Sequence, residues 1–190
     1  TATLNYSIDK TEKIILLKQE IERLNINFLK PDINFSNPLF SIEINDNLKS
    51  IRFGLAAIKG VGLKSISSMV DERNKNGKFK SIIDFMNRVS KEVINKRQLE
   101  KLVQAGAFDS IEVNRSKLFN NVPKFVELFG GEKNINQDML FEENEISFED
   151  KNLFNQNYEK WNNADILSNE LEVIGFYFSD HPLNHYPKKF

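Results

Sequence analysis

The chain has 190 residues, 40% hydrophobic and 28% charged, with a formal net charge of −1, which suits one medium domain or two small ones around a real core. It contains no cysteine, which excludes disulfides, thiolate metal sites and cysteine nucleophiles. No apolar run approaches the ~20 residues of a membrane span, and the opening TATLNYSID, without initiator Met or signal-peptide pattern, suggests a piece of a longer chain.

In chain order, Asp9 and Glu12 form a D-x-x-E start signal, and Ile14, Leu17, Ile21 and Leu24 follow at helical spacing. The stretch LKPDINFSNPLF, with Pro31, Asn34, Asn37 and Pro38, predicts an irregular or extended path. Phe40–Ile44 alternates like a strand, and Ile51–Leu55 is its expected partner across Asn45–Asp46–Asn47. Leu63, Ile66, Met69 and Val70 then stripe a helix ending near Asn76–Gly77. Ser81 and Asp84 make an S-x-x-D box before Ile82, Phe85, Met86 and Val89. Asn95 and Gln98 can cap the next helix reciprocally; Leu99, Leu102 and Val103 are its core positions and Gly106 its end. A helix around Arg115–Phe129 carries Leu118, Phe119 and Val122, with Pro123 expected to kink or interrupt it. After Gly130–Gly131 the text is polar and acidic to about Lys151, which reads as a mobile loop, and a short helix over Asn163–Val173 leads into IGFYFSDHPLNHY.

Charge is unevenly spread. From Lys49 to Lys101 there are 13 Lys and Arg against 5 Asp and Glu, whereas Glu127–Lys151 holds 8 acids against 2 bases. A basic half beside an acidic half points to a polyanion-binding surface next to a partner-binding segment, or to ordinary solvated helix faces.

The pentapeptide IKGVG, Ile58–Gly62, bears on this choice, as a plain structural turn with a glycine C-cap or as a binding turn. It fits the h-x-G-h-G turn of a helix-hairpin-helix module. Gly60 and Gly62 would make the turn tight and leave room for a phosphate. The backbone N–H groups of the turn, at the start of the following helix, would form an anion site, with Lys59, Gly60, Val61, Gly62, Leu63 and Lys64 as the DNA-binding residues. Lys59 and Lys64 would flank it as point charges. Such a site grips a nucleic-acid backbone and reads no bases. About 46 positions later KRQLEKLVQAGAFDSI repeats the pattern around Ala105–Gly106–Ala107–Phe108 with a single glycine, a structural copy with weaker phosphate contact.

IRFGLAAIKGVG, GKFKSIIDFMNRV and INKRQLEKLVQAGAFDSI together resemble the tandem helix-hairpin-helix region of bacterial replicative DNA polymerase III alpha subunits. IERLNINFLKPDINFS is similar to the end of that family's fingers domain, and NELEVIGFYFSDHPLNHY to its passage leading toward an OB domain. Within the acidic loop Gln137, Asp138, Met139, Leu140 and Phe141 match the family's Q-x-x-[LM]-F clamp-docking peptide. In that mode Leu140 and Phe141 enter an apolar cleft while Gln137 bonds at its edge. The resemblance implies a mainly α fold: a tandem helix-hairpin-helix domain with a short β-hairpin near the N-terminal side and a mobile acidic loop. It implies four segments: 1–48 as the end of a fingers-like region, 49–129 as the DNA-binding domain, 130–152 as the loop with the clamp peptide, and 153–190 as a helical segment. It implies duplex DNA, the sliding clamp and other replisome subunits as partners in the bacterial cytoplasm, with Mg²⁺ serving the parent polymerase and no cofactor or active site in this segment.

Two other readings stand beside it. Base-excision glycosylases with the same hairpin place a Lys just after the second glycine and an Asp about 20 residues on, and Lys64 and Asp84 sit near those places. A capping role for Asp84 and the absence of a second large helical domain weigh against that reading. The other is a pure protein-interaction domain. His181 and His185 have i, i+4 spacing, but Pro182 between them argues against a helical metal pair.

Overall fold

The computed structural model describes residues 1–45, 48–89, 93–130 and 158–185. Among them are seven α-helices and one small sheet. Short α1 (Ala2–Tyr6) and α2 (Thr11–Arg23) come first. β1 (Asn27–Leu29), β2 (Ser41–Asn45) and β3 (Leu48–Arg52) form a sheet of order β1-β3-β2. A 3₁₀ turn, Leu55–Ala57, leads to α3 (Leu63–Asn76), α4 (Ile82–Arg88), α5 (Lys96–Gln104), α6 (Arg115–Gly130) and α7 (Asn163–Val173).

Three helix starts follow side-chain caps. The Ser81 hydroxyl accepts the Asp84 N–H at 3.1 Å, and Asn95 with Gln98 closes a reciprocal capping box. Asn162 and Asp165 close another at the head of α7. α2 departs from expectation: it starts after Lys10, and Asp9 makes no cap. The Lys10 carbonyl accepts the Lys13 and Ile14 N–H groups, so the backbone alone begins this helix. Leu24, expected on its apolar stripe, is exposed, because it lies at the C-cap beyond the packed face. α6 runs through Pro123 without interruption; buried Leu118, Val122 and Phe125 anchor it on both sides.

The hairpin forms as an antiparallel pair, Ile42 opposite Ile51, but β3 begins three residues earlier than expected and Leu55 belongs to the 3₁₀ turn. β1 adds a parallel partner, Phe28 beside Ile51, that three residues of sequence did not announce. Phe28 of β1 meets Phe40 and Phe53, which flank β2 and β3, and the returning C-terminal stretch packs Phe176 and Phe178 into this cluster with ring centroids 5.0–6.2 Å apart. A second aromatic chain, Phe79–Phe85–Phe108, joins α4 to the turn after α5. One continuous core takes in residues from Leu4 to Phe176, so packing by itself marks no boundary between the four expected segments.

The polar letters of the PDINFSN stretch are spent internally. Asn34 exchanges hydrogen bonds with the Phe79 backbone, and the Arg73 guanidinium of α3 donates to the carbonyls of Ile33 and Ser36. Burial pushes the Asp32 carboxyl above its usual value, against hydrogen bonds from the Asn34 N–H and the Ser110 hydroxyl. The stretch is therefore a buried belt against which α3 is set.

Candidate nucleic-acid interface

The IKGVG turn is fixed from three sides. The Val61 N–H donates to the Ile58 carbonyl at 3.1 Å, the Lys59 N–H to the Val173 carbonyl at the end of α7, and the Ile58 and Val61 side chains are buried. Gly60 takes φ +80°, a conformation costly for any side chain. Gly62 does not: it is the N-cap of α3 at φ −81°, so positive φ is not why a glycine stands there. A Cβ at Gly62 would lie 3.3 Å from Gln98 Nε2, on an exposed face.

No side chain caps α3. Its first internal bond runs from the Ile66 N–H to the Gly62 carbonyl; the N–H groups of Gly62, Leu63, Lys64 and Ser65 have no acceptor among the described residues. Four open donors at a positive helix end make an anion cradle. Lys59, Gly60, Gly62, Leu63 and Lys64 are exposed around it, and only Val61 turns inward. Leu63, expected in the apolar stripe of α3, is 52% exposed, since the first helical turn overhangs the core that Ile66 and Met69 enter.

The fold adds residues that motif reading missed. Gln98 Nε2 donates to Ser65 Oγ at 3.3 Å, which sets the N-terminus of α5 beside that of α3 and brings exposed Lys96 and Arg97 to the same region. A Cβ at Gly60 would sit 3.9 Å from Lys101 Cγ, so Lys101 is also close, paired with Glu172 of α7. The Asn95–Gln98 cap was the available signal: it marked a second helix start followed at once by two cations.

The thirteen cations of Lys49–Lys101 now divide by use. Arg52, Arg88, Lys96 and Lys101 are ion-paired and Arg73 is buried among carbonyls. Lys49, Lys59, Lys64, Lys75, Lys78, Lys80 and Arg97 form no ion pair among the described residues; Lys91 lies outside them.

The second turn is built differently. Gly106 has φ +74°, and a Cβ there would fall 2.1 Å from an Arg115 guanidinium nitrogen. Arg115, 6% exposed, donates to both oxygens of Asp109 at 2.8 and 2.9 Å and to Glu170, which is fully buried, at 3.0 Å. Glu170 also accepts the N–H groups of Phe178 and Ser179. Burial would raise the Asp109 carboxyl, but hydrogen bonds and charge from Arg115, with Lys30 beyond, hold it below its usual value. A protein cation already sits where an incoming phosphate would need space.

Lys64 and Asp84 are not brought together. Asp84 accepts the Lys80 N–H and pairs with Arg88, which also holds Glu72. Glu72 is eight residues along α3 from Lys64, about 12 Å at 1.5 Å per residue, so the glycosylase arrangement is not assembled. His181 Nδ1 accepts the Leu183 N–H, and no group of three or more His, Asp or Glu among the described residues could hold a metal. No helix among them is long and apolar enough to cross a membrane. Gln137–Phe141 and the rest of the acidic loop from 131 onward lie outside the described residues.

A family model for the helix-hairpin-helix motif matches residues 25–118. Along 98% of its length the chain is 37% identical to DNA polymerase III subunit alpha of Borreliella burgdorferi. It is 36% identical to that of Neisseria meningitidis serogroup A and 32% to that of Escherichia coli K12, over 99% of its length in both. The chain belongs to this family. It spans 16% of the length of each of these relatives, and the family's helix-hairpin-helix match takes in both glycine turns and α3 to α5.

Proposed function

We propose that this segment holds duplex DNA by its phosphate backbone, without reading sequence, as a non-catalytic part of a replicative DNA polymerase. The observation that carries the reading is the uncapped start of α3: four open N–H donors behind Gly60 and Gly62, flanked by exposed Lys59 and Lys64. The parent would perform DNA-templated synthesis in the bacterial cytoplasm with Mg²⁺ held elsewhere in its chain. Labelled duplexes of several sequences, titrated at a series of salt concentrations, test it. Affinity should be indifferent to sequence and fall with a log–log slope near −0.9 for each phosphate neutralised. Strong sequence discrimination or salt independence would overturn the reading.

The same proposal gives Gln137–Phe141 to the sliding clamp, with Gln137, Leu140 and Phe141 as anchors and Asp138 and Met139 between them. What supports it is the motif in an acidic stretch poor in apolar residues. Leu140→Ala with Phe141→Ala should abolish binding to the cognate clamp in calorimetry, from about −8 kcal/mol for a micromolar peptide, and leave DNA binding intact. Equal affinity in the double variant would make the match accidental.

A further inference from the structure

We propose that the exposed ridge of α3 carries a second contact for the same duplex, made by Lys75, Lys78 and Lys80 at the end of the helix away from the hairpin. The proposal rests on the duplex-binding reading above and extends it to the partner's path over the surface.

At 100° per residue Lys64, Ser68, Asp71 and Lys75 fall on one stripe of α3, and all four are exposed. Ile66, Met69, Val70 and Arg73 fill the opposite, buried face. After Asn76 the chain turns at Gly77, φ +85°, with open space where a Cβ would stand. Phe79 then points into the core and its backbone is held by Asn34, so exposed Lys78 and Lys80 flank it on the outside. Lys78 is further steadied, its Nζ lying 3.8 Å from the centroid of Phe35, a ring that is itself 46% exposed.

The acids nearby form no ion pair with these lysines. Glu72 and Asp84 both engage Arg88, and although the Lys75 charge acts on Glu72 through space, no ion pair among the described residues uses Lys75, Lys78 or Lys80. Asp71 is the informative residue: an exposed carboxylate in the middle of the ridge would repel a backbone lying along it. Lys64 and Lys75 are eleven residues apart, about 17 Å along the axis. The major groove is about 12 Å wide. A ridge with cations at its two ends and a carboxylate between them fits a helix whose ends rest on the two strands while its middle faces the groove.

The test is fluorescence anisotropy with one labelled duplex over a range of salt. It compares the parent chain with Lys59→Gln/Lys64→Gln, Lys75→Gln/Lys78→Gln/Lys80→Gln and Asp71→Asn, each checked for parental circular dichroism. The triple variant should bind more weakly, with a salt slope shallower by about 2 to 3. Asp71→Asn should leave the slope unchanged. A parental slope in the triple variant, or a slope steeper by about 1 in Asp71→Asn, would overturn the second contact while the hairpin reading stands. Loss of slope in the triple variant alone, with Lys59→Gln/Lys64→Gln binding like the parent, would keep the second contact and overturn the hairpin. No binding by the parent chain would overturn both.

Discussion

The two glycine turns of this molecule sit at opposite ends of a helix, one opening α3 after a 3₁₀ turn and the other closing α5, and one is open while the other is filled. At Ile58–Gly62 the donors of α3 face solvent and the nearest side chains only border them. At Ala105–Phe108 the Gly106 N–H bonds Val103, the Ala107 N–H bonds Leu102, and the Arg115 guanidinium lies against the glycine. The difference teaches that glycine at a hairpin serves two masters. In one turn the missing side chain leaves room for a ligand; in the other it leaves room for the protein's own arginine, which ties the turn to α7 through Glu170.

The filled turn should therefore be where stability is most sensitive. Arg115→Met leaves Glu170 fully buried without its cation and Asp109 with exposed Lys30 alone, and losing one partner of a buried ion network costs about 3–5 kcal/mol. Urea denaturation measures it; a loss under about 1 kcal/mol would mean that water takes over the role of the guanidinium. Gly106→Ala should cost about 2–3 kcal/mol, the sum of an unfavourable φ and displacement of a pinned Arg115.

The next effect is a pH dependence at the filled turn. The Asp109 carboxyl is held below its usual value of ~3.9. Its contribution to stability is thus fully present above about pH 4, the unfolded value, and is lost as pH falls through the lower folded value. Asp32, raised by burial, has the opposite sign: its contribution is present below the unfolded value and lost as pH rises through the folded one. Comparing the parent with Asp109→Asn isolates the first. The stability gap between them should narrow as pH drops from 5 to 3, and a constant gap would remove the ionised pair from the account.

These contrasts also mark what the sequence could and could not tell. α3, α5 and α7 were legible because caps and periodicity are local: Asn95 with Gln98, and the span Asn163–Val173, stand as read. The open turn was legible because IKGVG is contiguous. The filled turn was not, since its plug comes from Arg115 and the partner of that plug from Glu170, 55 residues further on. β1 escaped notice because three residues carry no period, and its parallel partner lies 23 residues away. At Gly62 the sequence left open which physical reason requires the glycine. A motif says that a glycine is present, whereas only the backbone says whether positive φ or open space requires it.

Gly60→Ala separates the turns more finely. Its φ is as positive as that of Gly106, +80° against +74°, but the nearest atom to a new Cβ is Lys101 Cγ at 3.9 Å. Without a clash only the conformational penalty remains, about 1–2 kcal/mol. Urea denaturation should therefore find Gly60→Ala milder than Gly106→Ala; equal costs would mean that the guanidinium yields freely and that filling is not what distinguishes the turns.

The smallest expected effect on stability belongs to Gly62→Val. Gly62 has φ −81° and ψ 136°, extended backbone that suits a β-branched residue, and the contacts a Cβ would make are with Gln98 Nε2 at 3.3 Å and Ser65 Oγ at 3.7 Å. Both are side-chain ends able to shift by a few tenths of an ångström, so the midpoint of urea denaturation should move by under about 1 kcal/mol. The added isopropyl group would nonetheless stand at the mouth of the donor cluster formed by Gly62, Leu63, Lys64 and Ser65. A phosphate seated at hydrogen-bond distance from those groups has no room beside it. Duplex affinity should thus fall in a protein of near-parental stability, whereas in Gly106→Ala stability should fall with little change in affinity measured well below the denaturation midpoint. If Gly62→Val binds duplex as the parent does, the glycine is there for the turn alone, and the open hairpin is no more a DNA site than the filled one.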